Sequence, residues 1–332
     1  MTPPIPRSPD SFVFRYRTMP SLLISRRPFL TRLLALAAVA SSAVHAQEKP
    51  LQVVASFSIL ADMVREVGGP DVQVQALVGP NADAHVFQPT PADARALAAA
   101  DLVVVNGLGF EGWIDRLVKT SGYRGSVVVA SAGVTPRKAD DDEAEHGHDH
   151  GHGEGTDPHA WQDLRNAVRY VTNIRDALAQ LRPAHAAAIG ERAAAYTAKL
   201  QALDREVRSR FAAIPAQRRR ILTSHDAFGY FGAAYGVTLL SPQGINTDAE
   251  PSAAGVAQLI RQIRKGQVSA VFMENISSPR LVERIARESG VAVGGKLYSD
   301  ALSAPGTEAA SYLQLFRFNA DAIATALTAK AR

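Results

Sequence analysis

The sequence predicts an α/β protein of two lobes, each with a four-stranded, mainly parallel sheet flanked by helices, joined by one long backbone helix. Three observations lead there. Short apolar runs of strand length alternate with helix-length stretches on both sides of residues 183–215, the rhythm of a parallel sheet covered on both faces. Residues 183–215 themselves place Ile189, Ala193, Tyr196, Leu200, Leu203, Val207, Phe211 and Ile214 at steps of three and four, on one helical face. The 332 residues, 46% hydrophobic, suffice for two ordinary cores.

In chain order, Leu51 to Ser56 reads as a strand, and Ser58 as the N-cap of a helix to Val67 that Gly68-Gly69-Pro70 ends. Val72 to Leu77 alternates as a second strand. Pro91 to Ala100 is a helix, Leu102 to Asn106 a third strand, Trp113 to Lys119 a helix and Ser126 to Ala130 a fourth strand. Beyond the long helix, strands fall at Arg220 to Thr223, Val237 to Leu240, Ala270 to Met273 and Val291 to Val293, with helices between.

The long helix carries Pro183 in its first turn, is stopped by Pro215 and pairs Asp204 with Arg208 and Glu206 with Arg210. Only Gly190 opposes it, at a cost of about 1 kcal/mol. At roughly 45 Å it outreaches a crossover helix and reads as a strut between lobes. A surface coiled-coil arm would need its seam to run over more heptads. One unbroken helix predicts a slight tilt of a lobe on ligand loading, with no wide hinge closure.

The net charge of +4 belongs to the leader: residues 1–46 hold six arginines and one acid, leaving 30 basic against 31 acidic residues elsewhere. Nucleic acid and anionic membrane are therefore not expected partners. Arg26-Arg27 before the apolar run Leu33 to Val44, with Val44-His45-Ala46 at its end, reads as a signal peptide cleaved near Ala46. Ser25-Arg26-Arg27-Pro28-Phe29-Leu30 also resembles a twin-arginine signal, and Met19 is an alternative start. The expected organisation is leader 1–46, N-terminal lobe 47–182, linking helix 183–215 and C-terminal lobe 216–332, working outside the cytoplasm. No cysteine means no disulfide, thiolate ligand, thiol nucleophile or lipid-anchored cysteine.

Residues 140–155, DDDEAEHGHDHGHGEG, contain no apolar side chain except Ala144 and read as a flexible loop. Its His146, His148, His150 and His152 form a weaker auxiliary metal loop.

In an open parallel sheet, ligands bind beyond the carboxyl ends of strands. His85 follows the second strand, His159 the fourth, His225 the first strand of the second half and Asp300 the last. Singly, each reads as a loop or capping residue, as do His185 and His45. Together, three imidazoles and a carboxylate make a complete tetrahedral set for Zn²⁺. Glu250 and Glu274 are reserve carboxylates near the same rim: Glu250-Pro251 also reads as a helix entry, and Glu274 as a cap for the turn at Asn275. Gly107-Leu108-Gly109-Phe110-Glu111-Gly112 fits a dinucleotide-binding pattern, but stands after the third strand with no acid ending the next one, so it reads as a tight turn. There is no HExxH, GxSxG or Walker motif.

VVASFSILADMVREVGG, LVGPNADAHVFQPTPAD, NGLGFEGWIDRL, DPHAWQDLRNA, TSHDAFGYF, FMENISSPRLVERIA and GGKLYSDALS together resemble the periplasmic metal-binding proteins that feed zinc or manganese to ABC importers, over essentially all of residues 50–330. The resemblance implies two α/β lobes bridged by a long helix, and metal ligands at His85, His159, His225 and Asp300. Manganese members carry a carboxylate where His225 stands, so the resemblance favours the zinc group. It implies a non-catalytic monomer that binds Zn²⁺ as cargo and delivers it to an inner-membrane permease with its ATPase, with a periplasmic zinc donor protein as a further partner. The alternatives are a secreted zinc-dependent hydrolase, a manganese-binding member of the same family and, less well supported, a surface adhesin.

Overall fold

The computed structural model describes residues 49–138, 155–249, 251–266 and 268–329. The leader, the histidine-rich loop with His146, His148, His150 and His152, and Glu250 lie outside the described residues.

Strand β1 (Leu51–Phe57) enters helix α1 (Ser58–Gly68), which returns to β2 (Val72–Val78). Helix α2 (Pro91–Ala98), β3 (Leu102–Val105), α3 (Ile114–Ser121) and β4 (Ser126–Val129) complete the first half. A hairpin of β5 (Arg137–Lys138) and β6 (Thr156–Asp157) leads to α4 (Leu164–Leu181) and the long α5 (Ala186–Ala212). The second half runs β7 (Arg220–Leu222), α6 (Gly229–Tyr235), β8 (Thr238–Leu240), α7 (Ala253–Gly266), β9 (Ala270–Glu274), α8 (Arg280–Ser289), β10 (Val293–Leu297) and α9 (Tyr312–Thr328).

Both main sheets are parallel, in the orders β2-β1-β3-β4 and β10-β9-β7-β8. Read from the other edge, the second order repeats the first. In each, the first strand of its half pairs on both sides, so a crevice opens where successive connections leave in opposite directions. The buried inner strands explain the runs VVASF and LVVV, which are apolar without alternation because both faces are covered.

Every residue of the predicted apolar face of the long helix is buried, from Ile189 to Ile214. The α-helical part is shorter than 183–215, because Pro183–His185 form a 3₁₀ turn at one end and the helix stops at Ala212, before Pro215 leads into a further 3₁₀ turn at Ala216–Arg218. Its 27 residues span about 40 Å. Arg208 Nε lies 2.8 Å from Asp204 Oδ2 and Arg210 3.5 Å from Glu206, the predicted pairs four residues apart. At the N-terminal end, Asp71 bonds both His185 Nδ1 and Arg192, each at 2.5 Å, which confirms His185 as a structural residue in the first turn. At the other end Phe211 meets Phe231 of α6 edge-on at 5.4 Å.

Ser58 is not an N-cap. Extended Phe57 holds that position, and the Ser58 hydroxyl instead accepts the Leu302 N–H at 3.0 Å, from the far half of the chain. Helix α4, which no strand rhythm announced, is capped by Asp163 and buries Leu164, Ala167, Tyr170, Val171, Ile174 and Leu178 alongside α5. In β10 the register shifts between Val293 and Gly295, and a Cβ on Gly294 would sit 2.5 Å from the Phe272 ring, so only glycine fits.

Helix α9 makes a second tie between the halves. Asp62 on α1 accepts the Tyr312 N–H at 2.8 Å, and the Tyr312 hydroxyl donates to the Trp161 carbonyl. One continuous core accordingly runs from β1 through α5 to α9, with a smaller cluster around α7 and α8. Among the described residues no helix is long and apolar enough to cross a membrane.

Burial pushes the Asp62 carboxyl up to about 6, although the Tyr312 N–H pulls the other way. A raised acid binds protons more tightly in the folded state, so its contribution to stability is lost as pH rises from about 4 to 6. Asp62→Asn keeps an acceptor for Tyr312 and removes the buried charge. Denaturant unfolding should find the variant more stable by about 3 kcal/mol at pH 7.5, with the difference vanishing near pH 3; a destabilised variant at pH 7.5 would contradict this.

Candidate metal centre

The four singled-out residues converge. His85, His159, His225 and Asp300 each offer a ligand atom, and these atoms all lie within 4.8 Å of one another. Asp300 is the hub: Oδ2 lies 3.1 Å from His225 Nε2 and 3.2 Å from His85 Nε2, while Oδ1 is 3.7 Å from His159 Nε2. His85 and His159 bring their Nε2 atoms to 3.3 Å. Three imidazole Nε2 atoms and two carboxylate oxygens therefore face one small volume. The side chains of His159, His225 and Asp300 are inaccessible to solvent, and that of His85 is 2% exposed.

The fold places them there from both halves. His225 leaves the carboxyl end of β7, and Asp300 follows β10. His85 sits in the loop after β2, whose course is held by Trp113 Nε1 donating to the Ala84 carbonyl at 2.8 Å. His159 follows the β5–β6 hairpin. Trp161 Nε1 and Gln162 Nε2 then donate to the Ser299 carbonyl at 3.0 and 2.9 Å, which fixes the backbone beside Asp300 across the cleft.

Two of the rings are oriented by a carboxylate behind them. His159 Nδ1 lies 2.9 Å from Asp157 Oδ1, which also accepts the His159 backbone N–H at 2.9 Å. His225 Nδ1 lies 2.7 Å from Glu274 Oε2, and Glu274 Oε1 accepts the His225 N–H at 2.9 Å. Glu274, at the end of β9, is thus no cap for the turn at Asn275. It stands behind the ring, where metal-binding histidines keep a supporting carboxylate, while Nε2 of His225 faces the cluster; the Nδ1 contact lies outside hydrogen-bond geometry. Asp157 escaped the sequence reading, although the spacing Asp-x-His, present at Asp83-Ala84-His85 and Asp157-Pro158-His159, is a local signal for a carboxylate that folds back on the histidine N–H.

The floor is aromatic. Phe110 meets His85 at 4.8 Å and Trp161 at 4.8 Å, and Trp161 meets His159 at 5.3 Å. Phe110 belongs to the glycine-rich turn, which is a tight turn as expected: Gly107, Leu108 and Gly109 all have positive φ, and a Cβ on Gly107 would meet Val129 at 2.5 Å. Buried Glu111 holds this turn, accepting from Ser56 Oγ at 2.5 Å and from the N–H groups of Asn106 and Gly107 at 2.6 and 3.2 Å. Burial raises its carboxyl, and those donors partly offset the rise.

Burial alone would lower the proton affinity of His225, but the Glu274 and Asp300 carboxylates on either side raise it well above the ordinary histidine value. Burial alone would raise Asp300, but attraction to His225 and His159 and hydrogen bonds from His225 and His85 hold its carboxyl far below the usual range. Both shifts favour an ionised Asp300 beside a protonated His225. The raised histidine stabilises the folded state fully below about pH 6.5, and that contribution disappears as pH rises through its folded pKa. Removing one anion should lower the midpoint: in Glu274→Gln, an NMR titration of His225 should move toward the ordinary value. A midpoint unchanged from the parent protein would show that Glu274 does not charge this ring.

Comparison with known proteins follows the same outline. The family description "Zinc-uptake complex component A periplasmic" (ZnuA) matches residues 53–326. The manganese-binding lipoprotein MntA of Bacillus subtilis is 34% identical, over 86% of this chain and 92% of its own. The iron-binding protein YfeA of Yersinia pestis is 33% identical, over 88% of this chain and 91% of its own. Among solved structures, the periplasmic zinc-binding protein TroA of Treponema pallidum superposes with a TM-score of 0.76 at 31% identity, over 85% of this chain and 100% of that one.

Proposed function

Because the chain belongs to the zinc-uptake component A family of metal-binding solute-binding proteins, we propose that it captures one Zn²⁺ in the periplasm through His85, His159, His225 and Asp300. It then delivers the ion to an inner-membrane ABC permease driven by a separate ATPase. The observation that carries this reading is the convergence of three imidazole Nε2 atoms and one buried carboxylate from both halves of the fold. Zinc accepts four N and O ligands at about 2.0–2.2 Å, and the present spacing of 3.1–3.7 Å around Asp300 is compatible with an ion drawing those atoms together.

The donor set bears on which ion. Relatives carry the names of zinc, manganese and iron proteins. Three imidazoles and one carboxylate are rich in nitrogen, which suits zinc better than the oxygen-rich shells of manganese. The metal is cargo. Four protein ligands close the shell, whereas a catalytic zinc keeps one position for water and needs a base beside it; Asp157 and Glu274 already face imidazole nitrogens.

Equilibrium titration against a competing chelator tests the proposal. The mature protein should bind one tight zinc ion and prefer zinc to manganese. Changing His85, His159 or His225 to Ala should weaken binding by more than about 100-fold, beyond the usual cost of losing a supporting partner, while His185→Ala leaves it unchanged. Manganese preferred over zinc would overturn the assignment of the ion, and an equal loss in His185→Ala would overturn the site.

A further inference from the structure

His85 differs from the other two rings. Asp157 bonds His159 Nδ1 at 2.9 Å and Glu274 Oε2 lies 2.7 Å from His225 Nδ1, outside hydrogen-bond geometry, but the buried Nδ1 of His85 has no carboxylate behind it among the described residues. Ring contact with Phe110 at 4.8 Å packs His85 without giving it a direction. Apart from the contacts of its Nε2 with Asp300 and His159, its support comes through the backbone. Asp83 Oδ1 accepts the His85 N–H at 2.8 Å, the same local bond that Asp157 makes to His159. The second oxygen of Asp83 does something else: Oδ2 accepts the hydroxyl of Thr247 at 2.6 Å, from across the cleft.

Thr247 belongs to residues 241–249, an irregular segment after β8 whose outer positions are exposed. Few bonds hold it. Gly244 O accepts the Asp226 N–H at 3.2 Å, and Gln243 Nε2 donates to Ala249 O at 3.0 Å. The loop carrying His85 has further anchors at Asn81, whose N–H donates to Leu302 O at 2.9 Å, and at Ala84. Those fix where the loop runs. On the Asp83 carboxylate, the Thr247 hydroxyl from the other half sits on the oxygen opposite the one that takes the His85 N–H.

We propose that Thr247 and Asp83 form a positioning pair that holds His85 in its coordinating pose, which makes His85 the first ligand to leave when residues 241–249 shift. His159 and His225 keep their poses because each is braced by a carboxylate on a strand of its own half, at the ends of β6 and β9. Opening thus begins at one ring, controlled by one hydrogen bond between the halves. The inference rests on the metal-capture reading and adds the order in which ligands let go.

The test compares Thr247→Val, which keeps the shape and loses the hydroxyl, with Thr247→Ser, which keeps the hydroxyl. Zinc release into excess chelator is followed by stopped flow, and the three imidazoles by proton–nitrogen NMR with and without zinc. Thr247→Val should release zinc about tenfold faster, the lower end of what losing a supporting partner costs. It should broaden the His85 signals alone, while Thr247→Ser behaves as the parent. An unchanged release rate, equal broadening of His159 and His225, or a Thr247→Ser variant as fast as Thr247→Val would each overturn the pair. If the parent protein binds no zinc, the capture reading fails separately. The metal-free spectra then decide the pair: His85 broadened in Thr247→Val supports it and an unaltered His85 refutes it.

Discussion

A carboxylate stripped of water must be compensated by nearby donors or positive charge, and Asp300 is compensated by histidines brought from three separate loops. Much of the architecture follows from that requirement. Neither half could supply the set alone: His85 and His159 come from the first, His225 and Asp300 from the second. The cleft is held in register by contacts that cross it beside the hub, with Trp161 and Gln162 on the Ser299 carbonyl and Ser58 on the Leu302 N–H. Removing Asp300 would leave a charged His225 facing only Glu274, and the rings would lose their common acceptor.

Around the hub the support is unequal. Aromatic packing by Phe110 and Trp161 excludes water and fills the floor, but sets no tautomer. Asp157 bonds the His159 ring, and Glu274 stands 2.7 Å behind that of His225. The long helix and α9 then set how much the halves can move, since the core runs through both. A slight adjustment of loops around a fixed frame is more compatible with this packing than a bending α5.

The sequence carried the frame well because the frame is local and periodic. The buried face of α5 follows from spacing alone, and all eight main strands lie within a few residues of their apolar runs. Strand β10 was displaced because Gly294-Gly295 does not look like a strand; the ring of Phe272 occupies the place of a side chain there. Helix α4 was hidden behind the polar loop before it, despite the Asp163 cap and the spacing of Leu164, Ala167, Val171, Ile174 and Leu178. Of the site, the four converging side chains were legible as polar residues after strands. Their partners were not: Glu274 reaches His225 only because β9 lies beside β7, and Thr247 reaches Asp83 only because the halves face each other. Ser58 shows the same limit, since a helix-start serine has a local reading that a distant N–H displaces.

The central claim is that Asp300 and the three imidazoles hold one ion between the halves. A crystal structure of the zinc-loaded protein with anomalous data at the zinc edge tests it most directly. The account predicts one strong peak within about 2.0–2.2 Å of the Nε2 atoms of His85, His159 and His225 and of an Asp300 oxygen. A dominant peak elsewhere, or one that leaves any of these four out of the coordination shell, would contradict it.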